Sequence, residues 1–142
     1  ITGRSSRTFS REIGNIEKTD SPEIVLKKVE FSFYNLDEIT PPIRNNWLKW
    51  FEKYLNILKS ESKTDLERKE WMNSVNPKYV LRNYMAQLAI DDADNGNYGL
   101  IEEFYLLLQK PYDEQQQYQN WYAKRPDWAR EKIGCSMLSC SS

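Results

Sequence analysis

Cys135 and Cys140 are the only residues in this 142-residue chain that carry redox chemistry, and both fall near its end. On a mobile tail a thiolate is accessible, so both are candidate redox sites, while two inert thiols are the plainer reading. Histidine is absent. A Ser-His-Asp or Cys-His pair therefore has no base, and two cysteines cannot supply the four Cys/His ligands of a usual structural zinc site. Asp91, Asp92 and Asp94 cluster three carboxylates. An EF-hand loop needs a longer ordered series of oxygen ligands closing on Glu, so no metal site is assigned. Gly96-Asn97-Tyr98-Gly99 is too short for a phosphate-cradling loop and lacks its Lys and its strand-to-helix context. The residues alone thus assign no catalytic, cofactor-binding or metal-ligating position. Lys78 and Arg82, four apart, could clamp a phosphate or carboxylate of a partner domain, because Arg offers a planar two-donor fork. A solvated helix face is the plainer reading of the same pair.

The elements that would position these groups read as helices. Asn76-Pro77 supplies a cap and a first-turn proline, and Val80, Leu81, Tyr84, Met85 and Leu88 recur at three- and four-residue steps, predicting an amphipathic helix over 77–91. Asn95-Gly96 ends it. Asp20-Ser21-Pro22-Glu23 starts a short helix to about Phe33, with Ile24, Val25, Lys28 and Phe31 as its faces. Pro41-Pro42 opens the strongest amphipathic segment, to about Ser60, carrying Ile43, Trp47, Trp50, Phe51, Tyr54, Leu55 and Leu58. Such an aromatic stripe could be a stacking platform or a peptide groove, but at helical spacing it reads as core. Thr64-Asp65 begins a helix with Leu66, Trp71, Met72 and Val75 inward. Residues 97–109 give another, apolar enough for burial on more than one side, and Lys110-Pro111-Tyr112 stops it. Pro126 or Asp127 begins a last short helix to about Ile133, closed by Gly134. No alternating strand pattern and no fixed-period repeat is visible. The fold class is all-α, with about five or six helices.

Length and charge bound the rest. A chain of this size is one ordinary domain with room for a core. The pattern divides it into an irregular lead-in over 1–20, a helical domain over 21–133 and a mobile Cys-containing tail over 134–142. Lys and Arg number 20 against 21 Asp and Glu, so no global field gathers nucleic acid or anionic lipid, and neither partner is expected. No apolar run reaches the ~18–20 residues of a membrane helix. The first residues show neither a signal-peptide pattern nor an initiating Met, so the chain is expected to begin inside a longer protein.

Asn76 to Ile90, with Trp47-Leu48-Lys49-Trp50-Phe51, Arg68 to Met72, Lys110-Pro111-Tyr112, Pro126-Asp127-Trp128-Ala129 and the terminal Ser139-Cys140-Ser141-Ser142, resembles the C-terminal region of the selenoprotein O family. The resemblance covers roughly residues 20–142. It implies an atypical kinase-like protein that uses ATP and magnesium to transfer AMP to Ser, Thr or Tyr hydroxyls of protein substrates. It also implies that the nucleotide and metal ligands lie in an upstream kinase-like region, the main partner of this segment, so that the segment itself binds no cofactor. Lys78 and Arg82 are then candidate contacts to that region. The family position matching Cys140 is cysteine or selenocysteine and is associated with redox control. Cys135 departs from the family pattern and leaves three states open for Cys140: paired with Cys135, paired upstream, or free. A eukaryotic source would imply a mitochondrial location, to which the Asn- and Lys-rich composition leans, and a bacterial source the cytoplasm. The competing class is a stand-alone helical module whose aromatic faces bind a partner peptide without catalysis.

Overall fold

The computed structural model describes residues 9–33, 35–132 and 135. Helices dominate and no strand occurs among the described residues. The chain divides into two compact units, Ile1–Asn76 and Pro77–Ser142.

In the first unit, α1 (Phe9–Glu12) runs into a 3-10 turn, followed by α2 (Pro22–Val29), α3 (Pro41–Ser60) and α4 (Asp65–Val75). Ser21 caps α2 through its hydroxyl, which accepts from the Ile24 N–H at 3.3 Å, and Pro22 takes the first turn, where its missing donor costs nothing. α2 packs on α3. Val25 and Val29 meet Phe51, Leu55 and Leu58 in one buried cluster, with Trp47 and Tyr54 packed against it, so most of the α3 stripe is core as its spacing predicts, whereas Trp50 is exposed. Trp47 stacks on Phe51 at 5.5 Å and meets the edge of Phe33 at 5.2 Å. Thr64 and Glu67 form a full capping box at the start of α4.

Three expectations fail here. Residues 9–16 are not an irregular lead-in: Phe9 packs against Trp47 at 5.5 Å, and Ile13 and Ile16 belong to the core. Residues 1–8 lie outside the described ones. On α4, Met72 turns partly inward, whereas Leu66, Trp71 and Val75 are exposed. The inward position of α4 is taken by Arg68, whose guanidinium donates to the Ile16 carbonyl and lies 3.4 Å from an Asp65 oxygen. A buried cation needs such partners; Asp65 lies one turn back on α4, but the Ile16 carbonyl is 52 residues away, where local spacing could not show it. Finally, no helix starts at Asn76. Asn76 instead ends α4, its backbone and side-chain N–H groups both donating to the Met72 carbonyl at 2.9 Å. Pro77 disfavours helical backbone at the residue before it, which suits a stop as well as a start. Arg11 completes this end by donating to the carbonyls of Asn73 at 3.0 Å and Asn76 at 2.8 Å, which α4 leaves without helical partners.

In the second unit, residues 77–82 are non-helical and precede α5 (Asn83–Asp94), α6 (Gly99–Leu108), a 3-10 segment at Gln116–Trp121 and the single turn α7 (Trp128–Glu131). The backbone N–H groups of Lys78 and Tyr79 both donate to the Pro111 carbonyl, at 2.8 and 3.0 Å. That tertiary pairing satisfies two N–H groups that a helix beginning at Pro77 would itself have left without intrahelical partners. Gly96, at φ +81°, turns the chain after α5, a conformation that favours glycine. α5 packs on α6, and Tyr79, Tyr84, Met85, Ala89, Phe104, Leu107 and Ala129 form the core. Burial of α6 is one-sided, in contrast to the expectation: Phe104 and Leu107 are buried, while Ile101, Tyr105 and Leu106 are exposed.

Candidate functional site

The most concentrated polar chemistry in the second unit surrounds Lys78. Its side chain is 6% exposed. The Nζ donates to the Glu114 carboxylate and, at 2.7 Å, to the Gln119 amide oxygen. It also lies 5.1 Å from the centre of the Tyr122 ring and 5.5 Å from that of Tyr79, within reach of a cation–π attraction. Tyr79 is buried, with its hydroxyl donating to the Gln115 carbonyl at 2.9 Å. Gln115 in turn donates to the Leu107 and Lys110 carbonyls, both at 2.9 Å, satisfying the C-terminal end of α6. The extended segment after Pro77 is therefore clamped to the loop after α6 by backbone, ammonium and phenol together. Such an arrangement fixes a chain path; its ammonium is already engaged by a carboxylate, an amide and two rings.

Lys78 and Arg82 consequently do not sit one turn apart on a helix. Lys78 points into its own unit, and Arg82, half-exposed, immediately precedes α5. Glu114, Gln119 and Tyr122, which complete the Lys78 cluster, escape a reading of the sequence. They lie 36 to 44 residues away in an irregular region, and nothing in their local spacing marks them.

A second polar cluster joins α5 to the chain after α7. Lys132 donates to the Asp91 carboxylate, which also accepts from Gln87 at 2.7 Å. The Lys132 and Gln87 hydrogen bonds hold the Asp91 carboxyl below the usual carboxylate range. Asp91 is thus committed to this pairing, and Asp92 accepts from the Asn97 side chain at 3.3 Å. Among the described residues no three His, Cys, Asp or Glu side chains are grouped to hold a metal ion. Glu103 accepts from the Trp121 indole N–H.

Cys135 is a free thiol and is buried, 3% exposed, with its carbonyl 3.5 Å from the Asn83 amide nitrogen. An accessible tail thiol does not describe it. Cys140 lies outside the described residues, as do Gly134 and Ile133. No helix among the described residues is long and apolar enough to cross a membrane.

No protein-family model matches the chain. Individual relatives match it closely. Over all 142 residues it is 54% identical to the protein nucleotidyltransferase YdiU of Flavobacterium johnsoniae, of which it covers 27%. It is 41% identical over 136 residues to the protein of the same name from Rhodopirellula baltica, covering 25% of that protein and using 92% of this chain. A third relative of that name, from Methylobacillus flagellatus, is 54% identical over 93 residues, 66% of this chain and 18% of the relative. The chain thus spans about a quarter of the length of the first two curated relatives, and its match is to their C-terminal part. Identity of this level along the entire chain places the sequence in the protein nucleotidyltransferase family of YdiU and selenoprotein O.

Proposed function

We propose that this chain is the C-terminal region of a protein adenylyltransferase that uses ATP and magnesium to transfer AMP to Ser, Thr or Tyr hydroxyls of proteins, and that it braces the catalytic region. The observation that carries this reading is the 54% identity to a protein nucleotidyltransferase along every residue of the chain. Transfer of a nucleotidyl group, like phosphoryl transfer, depends on positioning and on cations that offset developing charge, so a rigid helical support contributes by keeping the residues that hold the nucleotide in place. The clamped path of residues 77–82 suits such a support. In this reading Lys78 is an internal prop, Arg82 is the contact to the catalytic region, and the segment contributes no catalytic residue of its own. The relatives named above are bacterial, which favours a cytoplasmic over a mitochondrial setting.

Isotope position in ATP tests the reaction. Full-length protein carrying this segment, incubated with magnesium and ATP, should transfer label from the α-phosphate to protein and none from the γ-phosphate; the reverse pattern would mean a kinase. The 142-residue chain alone should bind no ATP, and tight magnesium-dependent binding by it would contradict a purely bracing role. Arg82→Ala in the full-length protein should lower AMP transfer without lowering the thermal midpoint. Unchanged transfer would remove Arg82 from the contact.

The redox role we assign to Cys140 rests on the family resemblance of the Ser139-Cys140-Ser141-Ser142 end. Peptide mapping under oxidising conditions should find Cys140 in a disulfide. Free Cys140 together with transfer that is indifferent to reductant would overturn the role.

A further inference from the structure

The sequence of α6, Gly-Leu-Ile-Glu-Glu-Phe-Tyr-Leu-Leu-Leu, is apolar on both sides, and a helix of that kind is built to be covered all round. Its inward side is covered: Phe104 and Leu107 are buried, Leu100 packs against them, and Glu103 is occupied by the Trp121 indole. The opposite side begins at the capping residue Tyr98 and continues at three- and four-residue steps through Ile101 and Tyr105, which are 60, 47 and 67% exposed. Glu102 is the one charged residue of α6 on that side, where a solvated face would carry several. Tyrosine supplies a rigid apolar body with a polar tip at low conformational cost, which is why it is common at the centres of interfaces.

We propose that the Tyr98, Ile101 and Tyr105 face of α6 is the seat for the part of a family-length polypeptide that this chain does not contain. The occupant follows from length: the chain covers 27% of a relative to which it is 54% identical throughout, leaving nearly three quarters of that protein to be packed somewhere. Tethering within one polypeptide gives that partner a high effective concentration, so a face of only three large side chains suffices. This inference rests on the proposal that the chain is the C-terminal region of such a protein, and it names the surface by which the bracing acts.

Site-specific photocrosslinking tests it in the full-length protein. Benzoylphenylalanine replaces Tyr105 in one sample and, so that a single misfolded variant cannot decide the matter, Tyr98 in another. Irradiation should convert the peptide carrying the probe into a product joined to a peptide that precedes residue 1 of this chain, in the same molecule. Products joined to a second copy, identified by mixing isotopically light and heavy protein, would overturn the proposal; so would products confined to residues 9–76, or products with solvent alone. The same samples are assayed with α-labelled ATP. Crosslinking to the upstream region without AMP transfer would leave the seat standing and remove the catalytic reading, and transfer without such crosslinks would do the opposite.

Discussion

The Lys78 cluster makes an asymmetric prediction about which partner is costlier to lose. The Lys78 side chain is 6% exposed and that of Glu114 is 55% exposed, so the two ends of one ion pair sit in different environments. Glu114→Ala leaves an ammonium almost wholly out of water, with the Gln119 oxygen and two ring faces as its remaining partners. Breaking a fully buried pair in this way costs about 3–5 kcal/mol, and solvent entering the position vacated by half-exposed Glu114 reduces that to about 2 kcal/mol here. Lys78→Met removes the charge together with its burial cost, keeps an unbranched stem between the rings, and leaves Glu114 at a site already 55% exposed; its cost is about 1 kcal/mol. The double variant should be no less stable than Lys78→Met by more than about 0.5 kcal/mol, because no orphaned charge remains. Urea unfolding followed by tryptophan fluorescence gives the differences, and hydrogen exchange at the Tyr79 amide, which is bonded to Pro111, reports on the clamp itself. If Lys78→Met proves more damaging than Glu114→Ala by more than about 1 kcal/mol, the ammonium is a net stabilising element and the burial argument is refuted.

Neighbouring residues of α3 should differ sharply: Phe51→Ala, at a fully buried site, costs about 3–5 kcal/mol, whereas Trp50→Ala, at a partly exposed one, costs about 1 kcal/mol, both read from urea midpoints. Thr64→Ala removes the capping-box hydroxyl of α4 and costs about 1 kcal/mol in the same assay. Asp91 sets a pH dependence. Its folded carboxyl titrates below its unfolded value, so its contribution is complete above the ordinary Asp range, near pH 4, and is lost as pH falls through the lower folded value. Lys132→Met should flatten the stability profile in that acid window and leave its shape at neutral pH unchanged; an unaltered acid limb would exclude the pair as its source. Cys135 should resist alkylation in the folded chain and react on unfolding in urea, and rapid native labelling would contradict its burial.

Much of the first unit is legible locally because its signals are local. The prolines at Pro22 and Pro41, the Ser21 and Thr64 caps and the α3 stripe act within one or two turns, and the structure places α2, α3 and α4 where those signals put them. Legibility fails where a partner distant in sequence decides. Asn76-Pro77 satisfies the chemistry of a helix start and of a helix stop equally well; in the structure Asn76 closes α4 on the Met72 carbonyl, and the Lys78 and Tyr79 N–H groups go to the distant Pro111 carbonyl. Leu66, Trp71 and Val75 repeat like an inward face, yet Arg68 takes the inward position because the Ile16 carbonyl waits for it there.

The same division applies to the candidate site. By itself the sequence determined the all-α class, the Ser21 and Thr64 caps and the family, since propensity, capping and identity of motif are carried by adjacent residues. Only the tertiary structure decided that Lys78 turns inward to Glu114 and Gln119, that Cys135 is buried, and that one side of α6 stays uncovered. Each of those outcomes depends on which groups separated by tens of residues come to lie within a few ångströms, where burial raises the cost of an unpaired charge and a hydrogen bond offsets it.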